Sequence, residues 1–520
     1  MRTFPWMVAA LFLLASPRPG HAQEQLPSPL PAPFSEQPAA THDDNAELRA
    51  LAARLAAVEA SLRGEAAQAA RHPSEPSAPH TAGGGSKATG GDPTEHFKPQ
   101  TSGSITTGKA SLKSAYDHDH GGLHWSTPDD EFSFGVSAFT QIDAKFYPDD
   151  SPGFATSGLY NPRTRFYLQG HLTKPIQYAF SFQNTYDSLG LTDAYANFNY
   201  DERFQVRLGR FKTPFTYEFY RVHVWDLLAP ERSLFANNYE ANRRLGAMLW
   251  GVMADKRIEY AVGTFNTQRN SFQSFDNNQD VMAFLNLKPF YNFDEDFLLR
   301  DLHIGGSVDA GQENQPVLPA ALRTNSPPGG TAVGGAASDE ATLPFLAFNP
   351  GVREKGDRAL WEFHTALYRG GLSLLAALEG GHESYALSAA DPGIRIPING
   401  WFVQGGYILT GEKIRDRTLI EPHHPFGMHN GTFGLGALEV TARYSELELD
   451  SRVFTAGLAD PARWSNAADL VDVGLNWYLN KYVKVLFDWE HSTFDRPVFS
   501  SSSGPQTSND MFWMRTQLYF

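Results

Sequence analysis

From about residue 131 onward, apolar and polar positions alternate with a period of two. Phe132, Phe134, Val136, Ala138, Ile142, Ala144 and Phe146 share one face, while Ser133, Ser137, Gln141, Asp143 and Lys145 share the other. The run is longer than most strands of soluble sheets, and it predicts a wall with one apolar and one wet side. Residues 165–172 repeat it, with Phe166, Leu168 and Leu172 on the apolar face and Arg165, Tyr167, Gln169 and His171 on the wet one. Similar runs are read at 176–183, 192–200, 204–211, 244–252, 258–265, 281–288, 302–310, 359–368, 372–385, 400–409, 434–449, 468–479, 482–491 and 511–520. Together they make about 16 strands, an even number that returns both ends of a barrel to the same side of a membrane. In the last run Phe512, Met514, Leu518 and Phe520 face one way, and Arg515 and Gln517 the other. An apolar alternation ending on Phe resembles the signal read by the outer-membrane assembly machinery.

Two of these runs enclose residues 213–242, roughly thirty residues, which is too long for a hairpin turn and marks a functional loop. Val206, Leu208, Phe211, Leu245 and Leu249 on its flanks are interleaved with Arg207, Lys212, Arg243 and Arg244. The loop itself sets Asp226, Glu231 and Glu240 against Arg221 and Arg232, with Phe219, Tyr220, Trp225 and Phe235 among them. Those aromatics need burial, so the loop is expected to fold inward and narrow a pore. A second segment, 312–357, is rich in Gly, Pro and Ala and is read as an external loop.

The N-terminal quarter is organised differently. Residues 1–22 carry Arg2, an apolar stretch over Val8–Ala15 and a small-residue end, the pattern of a secretory signal peptide. Residues 23–44 read as disordered. In 45–63 Leu48, Leu51, Leu55, Val58 and Leu62 recur in steps of three and four, the seam of a short periplasmic coiled coil; an isolated amphipathic helix packed on another surface is the alternative. Residues 64–130 read as a flexible linker. Within it, the run Asp117-His118-Asp119-His120 and the nearby His124 have metal-like spacing, but nothing in the pattern supplies the supporting groups that fix ligands, and no metal or cofactor is assigned.

Composition narrows the class. No later apolar run approaches the roughly 18 residues of a membrane-spanning helix, so insertion must be by strands. The absence of Cys excludes disulfides and thiolate metal sites, and a net charge of −15 argues against a nucleic-acid partner. Aromatic content of 13% suits interfacial girdles facing outer-membrane lipid.

The stretches RLGRFKTPFTYE, LAPERSLF and NRRLGAMLWG, followed by GWFVQGGYILTGEK, LEVTARYSELEL and VGLNWYLNKYVKVLFDWEH, resemble the outer-membrane porin O/P family, of the phosphate- and polyphosphate-selective type. The resemblance runs from about Phe132 to Phe520 and implies a homotrimer of 16-stranded antiparallel barrels in the bacterial outer membrane. It also implies a narrow anion site built by basic residues of the early strands and of the loop after the fifth. On matching motifs, Arg165, Tyr167, Lys212 and Arg232 are carried over as that site. The wet face adds Lys145, Arg163, Arg207, Arg243 and Arg244, each of which is either a pore charge or the partner of Asp143, Asp193 or Glu231. The loop has no dense run of lysines, so an anion site is implied without fixing phosphate as the anion. The expected function is passive diffusion of small hydrophilic solutes or anions. The alternative is a barrel enzyme acting on lipid or polysaccharide, although no G-x-S-x-G or H-E-x-x-H stretch occurs.

Overall fold

A computed structural model describes residues 104–107, 110–116, 122–148, 157–185, 188–270, 272–274, 276–325, 343–429, 431–499 and 504–520. The signal peptide, the 23–44 segment, the 45–63 helix and the Asp117–His120 run lie outside them.

Sixteen antiparallel strands close into a barrel: β1 (Ser133–Phe146), β2 (Gly158–Thr173), β3 (Ile176–Thr185), β4 (Ser188–Asp201), β5 (Phe204–Lys212), β6 (Arg243–Met253), β7 (Ile258–Asn266), β8 (Gln279–Leu287), β9 (Asp301–Pro316), β10 (Arg353–Arg369), β11 (Leu372–Ala386), β12 (Ile394–Ile408), β13 (Ala437–Leu449), β14 (Ala467–Asn480), β15 (Val483–Phe499) and β16 (Pro505–Tyr519). Each pairs with its neighbours in sequence, and β16 closes on β1 from Phe512 opposite Phe146 to Tyr519 opposite Phe139. Closure removes every sheet edge from the wall, the condition for burying strands in hydrocarbon.

The alternation sorts as the sequence reads. Phe166, Ile142, Phe146, Leu208, Leu245, Phe512, Met514 and Leu518 are exposed on the outside, and Arg165, Gln141, Asp143, Lys145, Arg515 and Gln517 are buried inside. Phe211 departs from that sorting and is fully buried on the inner face. It stands opposite Arg244 in the ladder and packs edge-on to Phe265 at 5.5 Å.

Two regions differ from the sequence reading. Residues 64–130 were expected as linker, yet Ser104–Thr107, Ala110–Tyr116 and Leu123–Ser126 form an antiparallel meander. It pairs with β1 from Leu123 opposite Val136 to Ser126 opposite Ser133, on the part of β1 that β16 leaves open, so the wall itself supplies the hydrogen bonds that a Ser/Thr/Gly-rich stretch cannot announce. The segment 312–357 is shorter as a loop, because β9 runs on to Pro316 and β10 starts at Arg353. Glu313, Gln315, Glu354 and Arg358 look loop-like in sequence but are buried on the inner face.

The connection from β12 to β13 stands apart from its neighbours. Connections at that end of the barrel are otherwise mostly tight, such as the one between β10 and β11, whereas this one spans 409–436. It buries Ile414 and Ile420, and its Arg417 donates to the Glu439 carboxylate at 2.7 Å.

The seam between first and last strands is held by more than backbone. Arg515 of β16 donates through Nε and Nη2 to the two oxygens of Asp143 on β1, at 2.6 and 2.7 Å, and both side chains are fully buried. Removing one partner of a buried pair strands the other charge. We expect Asp143→Ala to cost about 3 kcal/mol, read as a lower temperature for the heat-modifiable shift of the folded barrel on a gel; an unchanged transition would show that Glu231 alone satisfies Arg515.

Candidate permeation site

Residues 213–242 leave the wall after β5 and return at β6. The neck is tied by Thr213, whose N–H and hydroxyl both donate to the Asn242 carbonyl, at 3.0 and 2.8 Å. Glu240 binds the two limbs together, accepting from the Thr216 hydroxyl at 2.7 Å and the Asn242 N–H at 3.3 Å. Burial pushes its carboxyl up to about 8. A single helical turn, α1 (Tyr217–Tyr220), begins at Thr216, and a second, α2 (Leu234–Tyr239), precedes the return.

Backbone that lies off the sheet inside a barrel has no ladder, and each of its polar groups needs another partner. Side chains of the opposite wall provide it. The Tyr217 N–H donates to Glu362 at 2.7 Å, and the Leu234 N–H donates to the Ser445 hydroxyl at 3.0 Å. The carbonyls of Trp225, Leu227, Leu228 and Glu231 accept from Gln517, Lys484, Asn476 and Arg443, at 2.9, 2.8, 3.0 and 2.6 Å. Arg515 reaches the Pro230 carbonyl. Loop side chains fill the remaining space: Phe215, Tyr217, Leu234 and Phe235 are fully buried, each contributing about 1.5–3 kcal/mol. Gly406 on β12 makes room, since a Cβ there would lie 2.5 Å from Leu228.

The connection 409–436 meets the loop from the other mouth. Asp416 pairs with Arg221 at 2.6 Å, and Arg417 Nε donates to the Asp226 carbonyl at 3.0 Å. Burial pushes the Asp226 carboxyl up to about 7, against the pull of Arg417 and Lys484.

The basic residues singled out in the sequence fall into two groups. Arg163 donates to both oxygens of Glu231, at 2.9 and 2.8 Å, and to Gln141; Arg243 pairs with Asp193 at 2.8 Å. Arg244 shares Asp280 with Arg358 and lies 3.8 Å from Asp309. Lys145 sits over the Trp513 ring at 4.0 Å, and Arg207 over Tyr195 and Trp250 at 4.4 and 4.9 Å.

Arg165, Lys212 and Arg232 form the second group, and among the described residues none of them is in ion-pair contact with a carboxylate. Arg165 donates to Gln183 at 2.9 Å and to the Tyr167 hydroxyl at 3.1 Å. Arg232 donates to the carbonyls of Glu218 and Val222, both at 3.2 Å. Lys212 and Arg232 both sit over the Phe219 ring, at 5.1 and 4.9 Å. The Lys212 ammonium feels Arg232, Arg243 and Arg165 as like charges and Asp193 as an opposite one. Tyr167 stands edge-on to Trp225 at 6.1 Å.

Sequence reasoning missed Arg443, Lys484, Arg417 and Asn476, which hold the loop. Their only signal was parity, since each sits on a wet face or in an unassigned turn, and parity does not reveal a partner hundreds of positions away.

Glu231 is the junction of the loop's charge network. Burial alone would raise its carboxyl, but Arg163 and Arg515 outweigh it and hold the group at about 2, below its ordinary 4.5. A carboxyl depressed by folding stabilises the docked loop fully above its unfolded value, and that contribution is lost as pH falls through the folded one. We expect single-channel current noise to stay flat down to about pH 4 and to rise between about pH 4 and 2, with Glu231→Gln noisy already at neutral pH; a quiet trace across the whole range would mean that Glu231 does not hold the loop.

The family profile of phosphate-selective porin O and P matches residues 134–285 and 377–520. No curated protein matches the sequence. Solved structures similar to this chain include OmpF of Salmonella typhi in complex with daunomycin, 11% identical, with a TM-score of 0.45 over 75% of this chain and 98% of that one. The anion-selective porin from Comamonas acidovorans is 11% identical, with a TM-score of 0.40 over 74% and 98%. The outer membrane channel DcaP of Acinetobacter baumannii is 10% identical, with a TM-score of 0.42 over 75% and 97%. With the profile covering more than half of its length, the chain belongs to the phosphate-selective porin O and P family and is a β-barrel porin of the bacterial outer membrane.

Proposed function

We propose that this porin passes small hydrophilic solutes by diffusion with a preference for anions, and that Arg165, Lys212 and Arg232 set that preference. One observation carries the reading: Lys212 lies within the fields of both Arg232 and Arg165, and none of the three has a carboxylate in ion-pair contact among the described residues, while the loop's own Glu231 and Glu240 are buried and hydrogen-bonded. A cation held over a ring or a carbonyl is not cancelled by a carboxylate, and low-dielectric walls focus the charge it carries on the passage. Phosphate, named in the family description, is one candidate anion. The protein is not an enzyme in this reading; a barrel hydrolase would be silent in bilayers and active on lipid or polysaccharide.

The test is the reversal potential of the purified protein in a salt gradient. We expect Arg165→Ala or Lys212→Ala to lower the anion-to-cation permeability ratio about threefold or more while the barrel stays folded. Equal ratios in wild type and both variants would make these side chains rim charges without a selectivity role.

The assembly we propose is a homotrimer joined through barrel walls, with 45–63 as a periplasmic coiled coil behind a cleaved 1–22 signal. Under three heptads are marginal as a free helix, so the helix gains stability only from the local concentration that a trimer supplies. Deleting 45–63 is expected to leave conductance unchanged and to lower the temperature at which trimers dissociate on a gel. Identical dissociation would remove the helix from the assembly.

A further inference from the structure

The inner face of a porin is expected to be polar, yet a strip of rings joins the loop to the wall beside Arg165. His223 stacks on Trp225 at 4.6 Å and 9°, and Trp225 stacks in turn on Tyr519 at 5.0 Å. Phe139 packs against the same indole at 5.6 Å. Tyr167 joins the strip to the cations: its ring is edge-on to Trp225, and the Arg165 guanidinium lies 5.8 Å from its centroid. Tyr167 and His223 are only half-buried, in contrast to the buried Phe139, Trp225 and Tyr519.

The geometry points to a solute of defined class: a flat apolar ring carrying one anionic group, such as an aromatic carboxylate or an aryl phosphate. The anionic end would take the free donors of Arg165, Lys212 and Arg232, for which a planar guanidinium and a compact ammonium are suited. The ring would lie against Tyr167 and His223, where offset or edge contact adds to the burial of its area. A site built for inorganic phosphate alone has no use for ring surface next to its cations. This inference rests on the anion preference proposed above, and it adds the shape of the anion.

Block of chloride current through the wild-type channel separates the two claims. Benzoate, phenyl phosphate, inorganic phosphate, cyclohexanecarboxylate and acetate are added in turn to the bath. Half-block by benzoate is expected at roughly tenfold lower concentration than by acetate, and at lower concentration than by the non-planar cyclohexanecarboxylate. Phenyl phosphate is expected to outdo inorganic phosphate by a similar factor. Tyr167→Leu should erase most of the benzoate advantage, and Tyr167→Phe, which keeps the ring and loses the hydroxyl, should retain it. Equal block by benzoate and acetate in the wild type, or an undiminished benzoate advantage in Tyr167→Leu, overturns the inference. A wild-type reversal potential showing no anion preference would instead overturn the reading beneath it, whatever benzoate does.

Discussion

Peptide groups inside the barrel but off its ladder must be hydrogen-bonded by something other than a neighbouring strand, and much of the inner wall answers that need. Residues 213–242 bring a run of N–H and C=O groups into the lumen, and Gln517, Lys484, Asn476, Arg515, Arg443, Ser445 and Glu362 are spaced from β10 to β16 to meet them. An unmet buried backbone group costs about 1–3 kcal/mol, so several such contacts decide whether the loop lies on the wall or in water. Many charged residues of the wet face are therefore structural. They hold the loop rather than meet the solute.

That division explains how a chain with net charge −15 supports a proposed anion preference. Several carboxylates on the inner face are drawn into pairs with arginines: Asp143 with Arg515, Glu231 with Arg163, Asp193 with Arg243, Glu439 with Arg417. Each pair cancels most of its own field. Arg165, Lys212 and Arg232 are instead anchored on rings and carbonyls, which position a charge without neutralising it. Net charge summed over the whole chain thus says nothing about the sign of the field at the loop.

Two segments entering from opposite mouths meet inside. The loop after β5 and the connection after β12 are joined through Arg221 to Asp416 and through Arg417 to the Asp226 carbonyl. Arg417 is also bound to Glu439 and Tyr478 of the wall, so one guanidinium ties both inserts to β13 and β14. A change in either insert is felt by the other through that side chain.

The local chain determined what depends on neighbours one or two positions away. Alternation at 132–146 and at 511–520 was enough to say which residues face lipid and which face the lumen, because a pleated strand turns successive side chains to opposite faces. The count of strands and the exceptional length of 213–242 followed from the same pattern. It failed at 104–126, where small polar residues carry little periodicity, and at 312–316 and 353–357, where wet-face charges such as Glu313 and Glu354 mimic a loop. Only tertiary structure decided which cation stays unpaired. Arg163 and Arg165 are two residues apart on the same face of β2, yet one is bound by Glu231, 68 positions away, and the other by no carboxylate among the described residues. Coulombic pairing depends on distance in space, and closing the barrel sets those distances, so the sequence named the candidates and the fold chose among them.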